Sequence, residues 1–140
     1  MTASTLLHSN DIDVRALPDG VDLVSAIQQL SQDPGLTSPW SWTLSCLRDD
    51  VPWYQQPALI VGVRNASTGA LSWDDDPVLV PVTGTNTEPV DYWIAGAHHT
   101  PMEVGAEVPV LVVLEAVTEY LRTGQRPTPV EWVEPRRVQA

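Results

Sequence analysis

The chain contains no lysine, no phenylalanine, one cysteine and no long apolar run. Each absence removes a class of explanation. A lone Cys46 permits neither an internal disulfide nor a zinc framework of the usual Cys/His spacing. Placed between Leu44 and Leu47, it reads as a buried, inert thiol. A membrane span needs about 18 or more consecutive apolar residues, and none is offered. The opening MTASTLLHSNDID has no basic region before its Leu6-Leu7 pair, so it does not read as a secretory signal and a cytoplasmic location is expected. Without lysine, seven arginines stand against 18 acidic residues, for a formal charge of −11. That balance disfavours direct binding to nucleic acid, whose phosphates require cations, and equally to anionic membranes. It favours a basic protein partner, unless it serves only solubility.

What the chain does contain is clearest between Glu107 and Trp132. Pro109 suits a first helical turn, and Glu107 places a negative charge near the helix N-terminus, so a helix is expected from about Pro109. Val110, Val113, Leu114, Val117, Tyr120 and Leu121 fall within an arc of about 120° at 100° per residue. Glu115, Thr118, Glu119 and Arg122 occupy the opposite side. Gly124 can end the helix, Pro127 prevents its resumption, and Val130 and Trp132 alternate with Glu131 as a half-buried strand.

The residues Glu107, Pro109, Ala116, Val117, Tyr120, Leu121, Thr123, Gly124, Arg126, Pro127, Thr128, Val130 and Trp132 form a pattern that resembles the C-terminal signature of the Imm1 family of bacterial immunity proteins. The resemblance is looser upstream, where Gly69 to Asp76 is similar to a family strand followed by acidic residues. It implies a small α+β protein, encoded beside a polymorphic toxin, that neutralises the toxin by tight binding. Toxins paired with the family are often of the nucleic-acid deaminase fold. The shared motif reads as structural, so no catalytic or contact residue is carried over.

Upstream, Asp11 to Leu17 alternates as a short strand, and Asp19 can cap a helix with Leu23, Val24, Ile27 and Leu30 on its inner face, ending at Asp33-Pro34-Gly35. Trp40 to Leu47 alternates large and small residues as a strand. The stretch from Ala58 to Val63 is apolar throughout, as a strand covered on both faces would be. Asn65 to Gly69 turns the chain into the strand Ala70 to Trp73, giving a hairpin. Further short strands are expected at Val78 to Val82 and from Asp91. The expected fold is therefore a single α+β domain over 11–134, with a mostly antiparallel sheet of five or six strands and two helices on one face. Residues 1–10 and 135–140 are expected to be flexible tails.

No catalytic motif emerges. Ser45 and Cys46 lie inside a strand, no Gly-x-Ser-x-Gly occurs, and Gly62 and Gly69 do not form a phosphate loop. His98, His99 and Glu103 lack the spacing of a zinc site. Asp74, Asp75 and Asp76 read as a solvated turn, a weak metal site or an acidic patch for a partner. Trp40, Trp42, Trp73 and Trp132 are core candidates. Trp53 with Tyr54, beside Asp49 and Asp50, and Trp93, beside Asp91, fit a protein-binding hot spot as well as a solvent-edged core. The expectation is a non-enzymatic inhibitor without cofactor or metal, whose contacts are Asp49, Asp50, Trp53, Tyr54, Asp74, Asp75, Asp76 and Trp93. The alternative is a small enzyme or ligand binder using a cavity between sheet and helices.

Overall fold

A strand that is apolar at every position must be covered from both sides, and residues 58–63 meet that demand at the centre of the molecule. The computed structural model describes residues 3–136. In chain order the elements are α1 (Ala3–Leu6), β1 (Asp11–Asp13), a 3-10 turn (Val14–Ala16), α2 (Leu23–Ser31), β2 (Trp40–Ser45) and a second 3-10 turn (Trp53–Gln55). They continue with β3 (Ala58–Val63), β4 (Thr68–Asp74), β5 (Val80–Pro81), β6 (Trp93–Ile94), β7 (His98–His99), β8 (Glu107–Pro109), α3 (Val110–Thr123) and β9 (Trp132–Val133).

Seven strands form one sheet in the order β7-β6-β2-β3-β4-β8, with β1 also paired to β2. β1 and β6 divide the outer edge of β2: Asp11, Ile12 and Asp13 pair with Thr43, Leu44 and Ser45, while Trp93 and Ile94 pair with Trp40 and Ser41. Those two pairings are parallel and the rest antiparallel. The sheet is thus larger and more mixed than its sequence suggests. β1, β6 and β7 have only two or three residues each, too few for periodicity to register. β5 and β9 pair separately.

Alternation along the strands decides what each face meets. Trp42, Leu44, Leu59, Val61, Val63, Leu71 and Trp73 point to one face and pack with Leu23 and Ile27 of α2 and Val113, Val117 and Tyr120 of α3. Each fully buried aliphatic side chain here contributes about 1.5–3 kcal/mol. The helix comes close because Gly69 has no side chain: a Cβ there would lie 2.8 Å from Val113 Cγ2. Val113 and Val117 are fully buried against the sheet, which speaks against a binding cavity under the middle of α3, while a groove of about 560 Å³ opens at its C-terminal end beside Cys46, Trp73, Tyr120 and Gly124. His98 and Glu103 are exposed outside it.

The other face is covered at one end by Tyr92, Met102, Ala106 and Val80, packed on Ala70 and Ile60. Tyr92 lies so close to Gly62 that a Cβ would stand 2.6 Å from its ring. At the other end, around Thr43, Ser45 and Ala58, the cover is the connection from β2 to β3.

Several boundaries differ from expectation for local reasons. Asp22, not Asp19, caps α2, because its carboxylate accepts from both Ser25 N at 3.0 Å and Ser25 Oγ at 2.8 Å. The strand from Asp11 stops at Asp13, whose side chain accepts from Arg15 N and starts the 3-10 turn. Glu107 is no partner for the helix dipole. It lies in β8 and alternates with Val108, so it turns away from α3 and is only 9% exposed. There Glu107 Oε2 accepts from Arg64 Nε at 2.8 Å and from Tyr92 OH at 2.9 Å. The Arg64 guanidinium lies 5.2 Å from the centre of the Tyr92 ring. Within the stretch read as a loose N-terminal tail, Leu6 and Leu7 are buried, and Leu7 O accepts from the indole of Trp42 at 2.8 Å. An apolar pair next to an indole that needs a buried acceptor explains the docking. Residues 137–140, in the expected C-terminal tail, lie outside the described residues.

Candidate partner-binding face

The connection 48–57 carries two prolines and an aromatic pair, and one side chain closes it. Gln56 Oε1 accepts from Arg48 N at 2.7 Å, while Gln56 Nε2 donates to Arg48 O at 2.8 Å and Val51 O at 2.7 Å. The amide thereby bridges the two ends of the loop as a strand pair would. Pro52 leads into the 3-10 turn that carries Trp53 and Tyr54, whose rings meet edge to face with centroids 5.9 Å apart. Trp53 is 73% exposed and Tyr54 68%. Two large aromatics standing this far into solvent on a tied loop, in contact with each other, form an exposed apolar projection.

Beside them runs a groove of about 370 Å³ lined by Trp53, Tyr54, Pro57, Thr43, Ala58, Asp11 and Asp74, among others. Of the eight residues expected as contacts, the structure brings Trp53, Tyr54 and Asp74 together. Asp75 and Asp76 follow in the exposed turn after β4. Asp49 and Asp50 lie at the start of the same loop. Asp50 accepts from Arg48 NH2 at 2.6 Å, which holds its carboxyl below the ordinary carboxylate range, and Asp49 lies 3.7 Å from Arg15. Trp93 does not join the group. It is half-buried in β6, packs on His99 with centroids 5.2 Å apart, and lines a separate groove with Arg64, Val90 and Asp91.

Sequence reasoning missed Gln56 and Asp11. Nothing in the sequence marks Gln56, since its role depends on where the two loop ends lie. Asp11 could have been found from the β1 alternation had its pairing to Thr43 been known.

Among the described residues, no group of three or more His, Cys, Asp and Glu is placed to hold a metal ion. His99 is 2.7 Å from Asp91 on an exposed edge. No helix among the described residues is long and apolar enough to cross a membrane.

The segment after α3 shows what its sequence pattern does. Gly124 takes φ 68°, the left-handed conformation that ends a helix, and its N–H donates to Tyr120 O at 2.8 Å. Glu119 accepts from Thr128 N at 2.6 Å and Thr128 Oγ1 at 2.7 Å, which lowers its carboxyl pKa, and Pro127 O accepts from the Trp132 indole at 2.8 Å. The motif is a device for returning the chain from α3 to β9. The family model described as Immunity protein Imm1 matches residues 13–134, nearly the whole fold. The chain belongs to the Imm1 family. It is accordingly an immunity protein acting against a toxin. A comparison with curated proteins returns no match. In this Imm1 protein the motif residues Gly124, Pro127, Thr128 and Trp132 serve folding, whereas the exposed aromatic loop lies outside the motif.

Proposed function

We propose that this immunity protein neutralises its cognate toxin by seating the Trp53-Tyr54 loop and its acidic surroundings over a basic substrate cleft. The toxin in this reading acts on nucleic acid and belongs to the deaminase class, and inhibition takes place in the cytoplasm. The observation that carries the reading is the exposed aromatic pair, held by Gln56 next to a groove edged with carboxylates. Rigid aromatics lose little conformational freedom on docking and supply the slow dissociation a toxin inhibitor needs. The charge of −11 supports steering toward a surface built to hold phosphates. Asp49, Asp50, Asp75 and Asp76 contribute to that field around the loop, and Trp93 is assigned to a peripheral contact.

The test mixes the purified protein with the product of the adjacent toxin gene. A stable complex, loss of toxin activity, rescue of cells expressing the toxin and mutual exclusion with its nucleic-acid substrate are expected. The association rate should fall steeply with added salt, as screening requires. A complex in which the toxin still binds its substrate would refute occlusion, and absence of any complex would refute the whole reading.

A further inference from the structure

The groove beside Trp53 and Tyr54 has the chemistry of a receptor for one kind of side chain. Its floor is made of small residues on the sheet face flanked by the β2–β3 connection, Thr43, Ser45 and Ala58, and its wall of the aromatic pair. Sheet register places Asp11 beside Thr43 on one side and Asp74 beside Ala58 on the other. They sit on strands three spacings apart, about 14 Å at ~4.8 Å per strand. Among the described residues, neither carboxylate makes a hydrogen bond or an ion pair, in contrast to Asp13 and Asp50, which are each held by a neighbouring arginine. Free carboxylates at the edges of a groove walled by π faces attract a cation and repel phosphate or lipid headgroups. A planar guanidinium suits this better than an ammonium, because it can stack on a ring while donating two parallel N–H bonds to one carboxylate. The hydroxyls of Thr43 and Ser45 offer further acceptors along the floor.

We infer that this groove receives an arginine side chain from the toxin, stacked against Trp53 and Tyr54 and paired with Asp74. Asp74 is the closer counter-ion to the loop, since its partner Ala58 directly follows Pro57 at the loop's end. Asp11, at the far edge, takes a second basic group of the same segment. The inference rests on the proposed mode of toxin binding and adds the residue type at its centre.

A double-mutant cycle on the purified complex tests it. Asp74→Asn and Trp53→Ala, both at exposed positions, should each weaken binding at least ~10-fold, the scale of a hot-spot contact. One toxin arginine, replaced by alanine, should prove non-additive with both. A complex whose affinity ignores both substitutions, or one in which no toxin arginine couples to them, overturns the groove assignment while leaving complex formation intact. Failure to form any complex is the separate failure of the function proposed above. A second arm needs no toxin: the free protein is titrated with the peptide amide acetyl-Gly-Arg-Gly and its neutral citrulline counterpart while the Trp53 indole N–H is followed by NMR. Movement with arginine only, lost in Asp74→Asn, supports the assignment. An equal response to both peptides, or none to either, overturns it.

Discussion

Replacing Gln56 with alanine should separate affinity from stability. The Gln56 amide makes hydrogen bonds of 2.7, 2.8 and 2.7 Å to Arg48 N, Arg48 O and Val51 O, across a loop otherwise closed by Gln55 N to Pro52 O and Gln56 N to Trp53 O. Because the loop lies at the surface, water re-solvates the freed groups, and each bond is worth about 0.5–1 kcal/mol, or roughly 2 kcal/mol together. Trp53, Tyr54 and Gln55 bury little of themselves, so this energy holds the loop's shape and barely touches the core. Global stability in urea should fall by less than about 1 kcal/mol, because the loop opens locally before the sheet does. The ordering that Gln56 supplies in advance must then be supplied by binding. The complex should therefore weaken by about 10- to 30-fold, at 1.4 kcal/mol per factor of ten. Hydrogen exchange at residues 48–55 and binding kinetics with the toxin measure both quantities. Faster exchange in the loop with unchanged affinity would refute the claim that a preformed loop matters. Unchanged exchange would refute the clamp itself.

Three other outcomes test the frame that positions this face. Glu107→Ala leaves the Arg64 guanidinium and the Tyr92 hydroxyl without their partner and should cost about 2–3 kcal/mol in urea denaturation, whereas Glu107→Gln, which keeps an acceptor, should cost about 1 kcal/mol. Gly62→Ala forces a methyl group toward the Tyr92 ring, 2.6 Å away, and should cost about 1–3 kcal/mol, with relief in the Gly62→Ala, Tyr92→Leu double variant. In alkaline titration, Tyr92 and Tyr120 should hold their phenolic protons above the ordinary value of 10.0. Burial and then the Glu107 charge raise Tyr92, while burial and then Cys46 and Asp13 raise Tyr120. The unfolded chain releases these protons near pH 10, so stability from this source is intact below pH 10 and declines as pH rises beyond it. Phenolate absorbance following all three tyrosines together near pH 10, in protein still folded, would contradict this.

Regular, local features were legible without coordinates. The stripe from Val110 to Tyr120, the stop at Gly124, the doubly covered strand Ala58–Val63 and the hairpin through Asn65 depend on residues a few positions apart, where periodicity and turn chemistry act directly. The return after Gly124 was readable as a half-buried strand near Trp132, although that strand, β9, is Trp132–Val133 and leaves Val130 outside it, and the Glu119–Thr128 and Trp132–Pro127 hydrogen bonds that hold the turn were not read from the sequence. Charge was legible too, as a sum that needs no fold.

Long-range meetings were decided only by tertiary structure. A carboxylate three residues before a helix reads as a partner of the helix dipole until β8 turns it toward Arg64, 43 residues away in sequence. Leu6 and Leu7 read as tail residues until an indole 35 positions on requires the Leu7 carbonyl. The face proposed to bind a partner likewise joins Asp11, Thr43, Ala58 and Asp74 through strand register, which no single stretch encodes. Sequence alone settled the longer helices and strands, because those preferences are local, whereas the short strands β7 and β8 took shape only through their pairing. Which side chains share one surface depended on sheet order and pairing, because a strand's outward face acquires a chemistry only from the neighbours it is given.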